Sequence, residues 1–468
     1  MPAHTDSHAT RELHLNVHPV AAGHHPGAWR WPGADPVAFA RIEGYLDVAR
    51  VAERGLLDAV FLADVPGLHA DLTEYPIVNG LEPTLILTAM AVVTERIGLI
   101  GTASTTFNEP YNIARRFRAL DLISHGRAGW NAVTTSGPRI SGNFTASEPG
   151  PAERYTRAEE FVSVVLKLWN SWQPDALVAD VGAGHYADMA GIRPVGHRGE
   201  HYSVAGPINL PPSEQGYPVI YHAGVSDSVR TLTARTAEAM FSAVVDPEAA
   251  LADISDIRSR AAGFGRPAGS VLFLPGLVTT VGGTEEEALR RRQELDELSD
   301  NEGALHAVAA KLGLHPADLE LDRPVPAALR GGLADIGGHS RPAARLALEG
   351  LTVRDIIRRG GTSGHVVAAG APEQVADLIQ RWYESGAVDG FTLMPDVTFD
   401  GLPAFVDEVV PILQRRGVFR TEYRGKTLRE HHGLPLPAIA APQQAAERDR
   451  NVSVPVPPGF AAAVSRSA

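Results

Sequence analysis

Cysteine is absent from the 468 residues, and the chain also lacks long apolar runs. Without cysteine there are no disulfides, no thiolate nucleophile and no cysteine-bound metal. No stretch approaches the roughly 18 apolar residues of a membrane span, and the first residues do not have the apolar stretch of a secretory signal. We therefore expect no membrane partner and a cytoplasmic location.

Basic residues are also in the minority, with 42 Lys and Arg against 55 Asp and Glu and a formal net charge of −13. Nucleic-acid binding needs clustered Lys and Arg, whereas the basic residues here are scattered. The composition predicts no nucleic-acid partner. Hydrophobic residues make up 44% of the chain, which is enough for a large buried core.

Short apolar runs alternate with longer amphipathic segments, as in parallel strands joined by helices. The predicted strands are Leu13–Val17, Asp58–Leu62, Ile97–Gly101, Arg127–Val133, Pro218–His222, Ala239–Val244, Val271–Val281 and Gly390–Met394. The predicted helices are Pro36–Arg54, Pro83–Glu95, Ile113–Ile123, Glu153–Trp172, Asp227–Glu238, Ala250–Phe264, Glu285–Leu298, Pro372–Ser385 and Leu402–Arg416. We expect an α/β fold, a (β/α)8 TIM barrel with loop insertions. A doubly wound sheet also alternates, but no Gly-x-Gly-x-x-Gly turn follows the first strand.

Two segments interrupt this alternation. Residues 174–215 are rich in Gly, Pro and isolated aromatics, which predicts an excursion with its own short strands. Residues 300–365, with repeated Gly, His and Arg, are more typical of a mobile lid than of a core. We expect one barrel over residues 1–433 and an extended or partly disordered tail over 434–468.

In such barrels the active-site residues lie at the carboxyl ends of the strands. Asp64 follows the second strand, where a helix or turn cap is the ordinary role. The hydroxyl cluster Thr102–Thr106 follows the third strand. Its hydroxyl groups can either donate hydrogen bonds to the polar edge of a ring or satisfy the backbone hydrogen-bonding groups of the loop. Asn131 lies within the fourth strand, where a buried polar side chain costs about 1–3 kcal/mol unless it has partners. A structural or functional partner is therefore expected for Asn131.

After the fifth strand, the segment Ala223-Gly224-Val225-Ser226 places a glycine and a capping serine at the start of a helix. Free backbone N–H groups and a hydroxyl at a helix N-terminus suit a phosphate. An ordinary capped helix is the alternative.

His24 and His25 lie in the loop after the first strand. Adjacent histidines seldom bind one ion, and no Asp or Glu stands at ligand spacing, so we predict no metal site. A proton donor or hydrogen-bond partner beside a substrate is the favoured role, because imidazole titrates near neutral pH. His125 and His185 are predicted to lie in surface loops.

These pieces together resemble a known family. The segment Asp121–Trp172 is similar to the nitrilotriacetate monooxygenase component A branch of the bacterial luciferase-like superfamily, which also contains dibenzothiophene-sulfone, EDTA and long-chain alkane monooxygenases. Further blocks of the same pattern are GHHPGAWRWP, FLADVPG, STTFNEPYNIARRFRALD, PVIYHAGVSDSVRTLTARTAEAMF and APEQVADLIQRWYESGAVDGFTLMP. The resemblance covers nearly the whole chain.

The resemblance implies the oxygenase component of a two-component monooxygenase, which uses reduced FMN and O2 to oxidise a small organic substrate through a flavin hydroperoxide. Tyr155 and Ser226 would hold the phosphate, Thr106, Asn131 and Thr135 would face the ring system, and Asp64 would lie near the ring or the ribityl chain. The matching cofactor positions are Asp64, Thr106, Asn131, Thr135, Ser136, Tyr155, Ala223, Gly224, Val225 and Ser226.

His24 and His25 would steady the peroxide or protonate the departing oxygen under a lid formed by residues 300–365. No nicotinamide-binding fingerprint is present, so a separate NADH:FMN reductase is the expected partner. A homodimer or homotetramer is the expected assembly. The alternatives are a deazaflavin-dependent dehydrogenase of the same superfamily and a non-catalytic flavin-binding barrel.

The chain departs from the family pattern at three positions. The family often has an aromatic residue where His18 stands and an amide where His222 stands, and some members have His in place of Ser136. All three are expected to face the pocket, where they bear on which substrate is oxidised.

Overall fold

The computed structural model describes residues 11–68, 72, 77, 80–145, 148–224, 226–267, 269–299, 301–337, 340–360 and 363–437. The strands are β1 (His14–Val17), β2 (Ala59–Leu62), β3 (Gly98–Ser104), β4 (Ala128–Val133), β5 (Leu177–Asp180), β6 (His185–Ala187), β7 (His197–Arg198), β8 (Ser203–Val204), β9 (Val219–Ala223), β10 (Ala239–Phe241), β11 (Leu272–Phe273), β12 (Gly276–Val281), β13 (Val366–Gly370) and β14 (Gly390–Pro395). The helices are α1 (Ile42–Arg54), α2 (Pro83–Ala91), α3 (Pro110–Ile123), α4 (Pro138–Ser141), α5 (Pro151–Trp169), α6 (Asp227–Thr236), α7 (Pro247–Gly263), α8 (Glu285–Glu297), α9 (Asn301–Leu312), α10 (Arg341–Leu348), α11 (Val353–Arg358), α12 (Pro372–Glu384), α13 (Thr398–Ala404), α14 (Val410–Arg415) and α15 (Leu428–His431).

The main sheet is parallel and has ten strands in the order β11-β10-β9-β4-β3-β2-β1-β14-β12-β13. Its two ends are joined because β11 and β12 are parts of one chain segment. The N–H of Leu274 donates to Met240 of β10 at 2.9 Å, while the carbonyl of Pro275 accepts from Thr392 of β14 at 2.9 Å. The sheet therefore closes into a barrel, and β13 lies beside β12 as an additional strand. The predicted (β/α)8 barrel is confirmed.

The strands are apolar on both faces because both faces are buried. Phe61, Ile100, Val219, Tyr221 and Leu272 fill the barrel interior with their neighbours. The opposite faces pack against the surrounding helices, which explains the continuous hydrophobic runs in the sequence.

Three element predictions are wrong in detail. The strand predicted over Val271–Val281 is interrupted at Pro275, which has no N–H to donate to the sheet. The predicted helix Pro36–Arg54 begins only at Ile42, because Arg41 has extended backbone with φ −116 and ψ 128. The predicted final helix is broken by a π-helical turn at Phe405–Val409, which ends two residues before Pro411 in α14. A proline ring obstructs the regular i to i−4 hydrogen bond, which accounts for the wider turn.

The first excursion contains two antiparallel hairpins, β5 with β6 and β7 with β8, as predicted. The second contains α9, α10 and α11, which pack on an apolar cluster of their own that includes Val308, Leu333 and Ile356. The expectation of little core in this segment is wrong, because its leucine, valine and alanine side chains bury one another. Closure of the segment over the site stays a prediction. Strand β13 follows directly and was missing from the sequence prediction.

The N-terminal end of the barrel is closed by the segment around α15. Leu428 joins the interior cluster, and buried Asp58 accepts hydrogen bonds from Arg420 at 2.6 Å and from His14 at 3.0 Å. Residues up to Pro437 belong to one compact unit. The predicted division at residue 434 stays a prediction, since residues 438–468 lie outside the described part. None of the described helices combines the length and the apolar character needed to cross a bilayer.

Candidate active site

Two hydroxyl groups meet where β9 leads into α6. The Ser226 Oγ accepts a hydrogen bond from the Val229 N–H at 3.3 Å and lies 3.1 Å from the hydroxyl oxygen of Tyr155, which comes from the start of α5. The first N–H groups of α6 have no acceptor within the helix and carry partial positive charge. Hydroxyl and N–H donors at a helix N-terminus form a suitable binding site for a phosphate.

The turn before Ser226 depends on glycine. Gly224 has φ +139, and a Cβ there would lie 3.2 Å from Val229 Cγ2, so a side chain would strain the turn. Its N–H donates to the Phe241 carbonyl at 3.2 Å, while Ala223 ends β9. Val225 lies outside the described residues, and its predicted role stays a prediction.

Two buried polar atoms, one within β4 and one just after β3, lack partners among the described residues. The Asn131 amide donates to Thr102 Oγ1 at 2.9 Å, but its Oδ1 accepts no hydrogen bond from any described residue. The Thr106 Oγ1 is also buried and unpartnered, although its backbone N–H donates to Ser104 Oγ at 3.1 Å. An unsatisfied buried polar group costs about 1–3 kcal/mol. Both atoms therefore indicate a missing partner in the barrel mouth.

Thr135 and Ser136 lie in the turn between β4 and α4. Thr135 is half-buried and Ser136 is exposed, and neither makes a hydrogen bond to another described residue. The structure places them next to Gly137, whose N–H donates to Glu148 at 3.0 Å. Their predicted cofactor contacts stay predictions.

Asp64 follows β2 and is half-buried. Burial and, to a smaller extent, the charge of the neighbouring Glu82 raise its pKa to about 6, and the Arg116 charge opposes them. Asp64 does not cap a helix, because Glu82 is the residue that accepts the Leu85 N–H at the start of α2. The helix-cap alternative is therefore wrong for α2, whereas the turn-cap alternative stays a prediction. Asp64 supplies a carboxyl group whose pKa is raised to about 6.

His24 and His18 form a pair at the end of β1. The His24 Nε2–H donates to the His18 carbonyl at 2.7 Å, and the two rings are 4.8 Å apart. Burial lowers the pKa of His24 to about 4, partly opposed by that hydrogen bond, and burial also holds the pKa of His18 well below 6.5. Both rings are neutral at pH 7. Both ring nitrogens of His18 are buried without a hydrogen-bond partner among the described residues. The side-chain hydrogen bond of His24 within the described part of the chain is made by Nε2, which leaves its Nδ1 unused there.

His25 occupies a different environment from His24. Its Nδ1 accepts from the Gly27 N–H at 3.2 Å, and its Nε2 contacts Asp296 Oδ1 at 3.2 Å. Both ring nitrogens are thus engaged within the protein. Of the two predicted catalytic histidines, only His24 has a ring nitrogen left for a ligand.

Comparison with known proteins gives full-length matches. The family described as luciferase-like monooxygenase matches residues 18–389. N-acetyl-S-(2-succino)cysteine monooxygenase of Bacillus subtilis (strain 168) is 39% identical over 91% of this chain and 98% of that protein. Nitrilotriacetate monooxygenase component A of Aminobacter aminovorans is 39% identical over 93% of this chain and 99% of that protein. A solved structure of riboflavin lyase with modified FMN and riboflavin superposes with a TM-score of 0.79 at 30% identity, covering 91% of this chain and 96% of that one.

The chain belongs to the luciferase-like monooxygenase family. The matches confirm the family, the branch and the monooxygenase class predicted from the sequence. The riboflavin lyase structure contains modified FMN.

One feature of this luciferase-like barrel contradicts the sequence prediction. His222 was expected to face the pocket, but its Nδ1 contacts the Ala132 carbonyl at 2.8 Å and its Nε2 contacts Thr236 Oγ1 at 2.9 Å. Successive side chains of a strand point to opposite faces, so His222 faces α6 while Tyr221 faces the interior. His222 therefore links the strand to its helix. His125 and His185 are exposed, as predicted, although His185 lies in β6.

The buried position of His222 predicts a pH-dependent stability. Burial lowers its pKa from 6.5 to about 4, so the folded state favours the neutral ring. The stabilisation is complete above pH 6.5 and is lost as the pH falls towards 4. Between pH 7 and pH 5 the wild type should lose about 2 kcal/mol more free energy of unfolding than His222→Gln. Urea unfolding at both pH values measures this difference, and equal losses in the two proteins would contradict it.

Proposed function

We propose that this chain is the oxygenase component of a two-component monooxygenase that uses reduced FMN and O2 to oxidise a small organic substrate. The observation that carries the proposal is the Tyr155 and Ser226 hydroxyl pair at the N-terminus of α6, in a chain of the luciferase-like monooxygenase family. A separate NADH:FMN reductase would supply the reduced flavin. The cytoplasmic location and a homodimer or homotetramer stay predictions.

The residues present fit FMN. Tyr155, Ser226 and the first N–H groups of α6 offer donors for the phosphate. Asn131 Oδ1 and Thr106 Oγ1 are unpartnered buried atoms suited to the polar edge of a ring system. Thr135 and Asp64 are the further candidates for the ring and the ribityl chain. Reduced FMN, when bound, supplies the electrons that activate O2.

The barrel mouth can control protons beside the flavin. His24 presents a neutral Nδ1 because its Nε2–H is engaged with the His18 carbonyl. With a pKa of about 4 it accepts a hydrogen bond at neutral pH and does not act as a cationic acid. His18 is buried against Phe61, with ring centres 5.7 Å apart, and retains one N–H donor. This pair is suited to fixing the position of one proton in a region with little water.

The proposal is tested by supplying reduced FMN from a separate reductase and screening sulfur compounds, amines and alkanes under 18O2. We expect substrate-dependent oxygen uptake and a product that contains one labelled oxygen atom. Substrate oxidation without oxygen uptake would indicate a deazaflavin-type dehydrogenase instead. Tight binding of reduced FMN with no product across the screen would favour a non-catalytic barrel. Either result would overturn the proposal.

A further inference from the structure

A cavity of about 350 Å³ separates the barrel mouth from the second excursion. His24, Val278 and Met394 line its barrel side, and Ala304 and Ile357 line the opposite side. Among the described lining residues, two on α8 carry a formal charge, the Arg292 guanidinium and the Asp296 carboxylate.

The Arg292 guanidinium has fewer hydrogen-bond acceptors around it than it has donors. Its Nη2 donates to the Arg358 carbonyl at 3.3 Å, but Nε and Nη1 are buried and have no hydrogen-bond partner. Within the described part of the chain, no other arginine leaves two buried guanidinium nitrogens unpartnered. Buried arginines are ordinarily satisfied, as Arg127 is by four carbonyls and one hydroxyl group around it.

The two described acidic residues whose charges act on Arg292, Asp296 and Asp396, already have partners. Asp296 binds Arg358 Nε at 2.8 Å and His25 Nε2 at 3.2 Å. Asp396 binds Arg291 Nε at 2.9 Å. Burial lowers the pKa of Arg292, and the Asp296 and Asp396 charges oppose this from beyond ion-pair distance. Arginine remains protonated in proteins, so the cavity wall holds a cation with unused donors.

We propose that this cavity binds a carboxylate group of the substrate, with Arg292 as the residue that recognises it. A planar guanidinium pairs with a carboxylate through two parallel hydrogen bonds. A phosphate dianion carries more negative charge than one guanidinium can balance in a wall that also contains the Asp296 carboxylate. The rest of the organic acid would lie along Val278 and Met394, towards His24. The inference rests on the proposed function and names its substrate class as organic acids.

Binding can be measured without flavin, which separates this inference from the oxygenase proposal. The probe is thiodiacetate, with its dimethyl ester as the uncharged control, titrated calorimetrically into wild type and Arg292→Met. We expect wild type to bind the acid, with affinity at least tenfold lower in the variant and for the ester. Arg290→Met, which changes an exposed arginine on the same helix, should match wild type. Equal affinity of wild type and Arg292→Met, equal affinity for acid and ester, or no binding of the acid would overturn the proposal.

A stability measurement excludes a purely structural role. Because Arg292 leaves donors unsatisfied in the free protein, Arg292→Met should unfold at the same temperature as wild type or higher. A clear loss of thermal stability would show that Arg292 holds the fold, and would overturn its assignment to the substrate. Reduced FMN affinity should be unchanged in the variant; if wild type itself does not bind reduced FMN, the oxygenase proposal fails while the carboxylate result stands.

Discussion

Ser226→Asp should weaken the binding of reduced FMN by about 100-fold or more. The substitution removes a hydroxyl donor to the phosphate, worth about 1.5–3 kcal/mol, and adds a like charge that costs roughly 1 kcal/mol or more at 4 Å. Aspartate caps a helix as well as serine does, so α6 should keep its start at residue 227. Anaerobic fluorescence titration with reduced FMN measures the loss.

Riboflavin supplies the matched control, because it has no phosphate. Wild type and Ser226→Asp should bind reduced riboflavin equally if the substitution acts only at the phosphate. Tyr155→Phe removes the second hydroxyl and should cost about tenfold in reduced FMN affinity. If FMN affinity stays within twofold of wild type in both variants, the phosphate lies elsewhere.

Arg420→Met should lower the free energy of unfolding by about 3–5 kcal/mol, since it leaves a buried carboxylate without its guanidinium. Burial alone raises the pKa of Asp58, but Arg420 and His14 bring it well below its ordinary value. Arg420 Nη2 also donates to the His431 carbonyl at 3.2 Å, so the substitution loosens the segment that closes the barrel. Chemical denaturation at pH 7 measures the effect.

The double variant Asp58→Leu/Arg420→Met should lose less stability than Arg420→Met alone, because no unpaired charge is then buried. Arg54→Met is the control, since it removes an exposed ion pair with Asp407 and should change stability by less than about 1 kcal/mol. A loss in Arg420→Met no larger than that in Arg54→Met would contradict the predicted role of this ion pair.

The barrel could be predicted because each strand and helix has a local signal. Parallel strands that are buried on both faces consist of apolar runs in the sequence. Helices such as α5 have apolar residues at regular helical spacing. Strand β13 was missed because Val366–Gly370 is short and follows a Gly-rich stretch that suggested a loop. The core of the second excursion was missed because its apolar residues are spread over α9, α10 and α11, and only the tertiary fold brings them together.

The site was predictable where residues adjacent in sequence act together. The turn before α6 has a glycine and a capping serine in order, so Ser226 could be assigned to a helix start, and the resemblance supplied Tyr155. The direction in which an individual side chain points was harder to predict from the sequence. His222 lies within β9 and faces a helix, whereas His24 lies in the loop after β1 and faces the cavity.

Arg292 gave no signal in the sequence. It lies in a run of charged residues on α8 that is typical of a solvated helix, and its neighbours Arg290 and Arg291 are indeed exposed or ion-paired. It lines a cavity together with residues of α9 and α11, which only the tertiary fold brings together. A prediction from the local sequence around Arg292 cannot include contacts that form only in the tertiary fold.

The most direct test of the central claim is a crystal structure of the anaerobic complex with reduced FMN. Our account predicts the phosphate within hydrogen-bond distance of both the Tyr155 and Ser226 hydroxyls, with the ring system towards Asn131 and Thr106. A flavin whose phosphate contacts neither hydroxyl would contradict it.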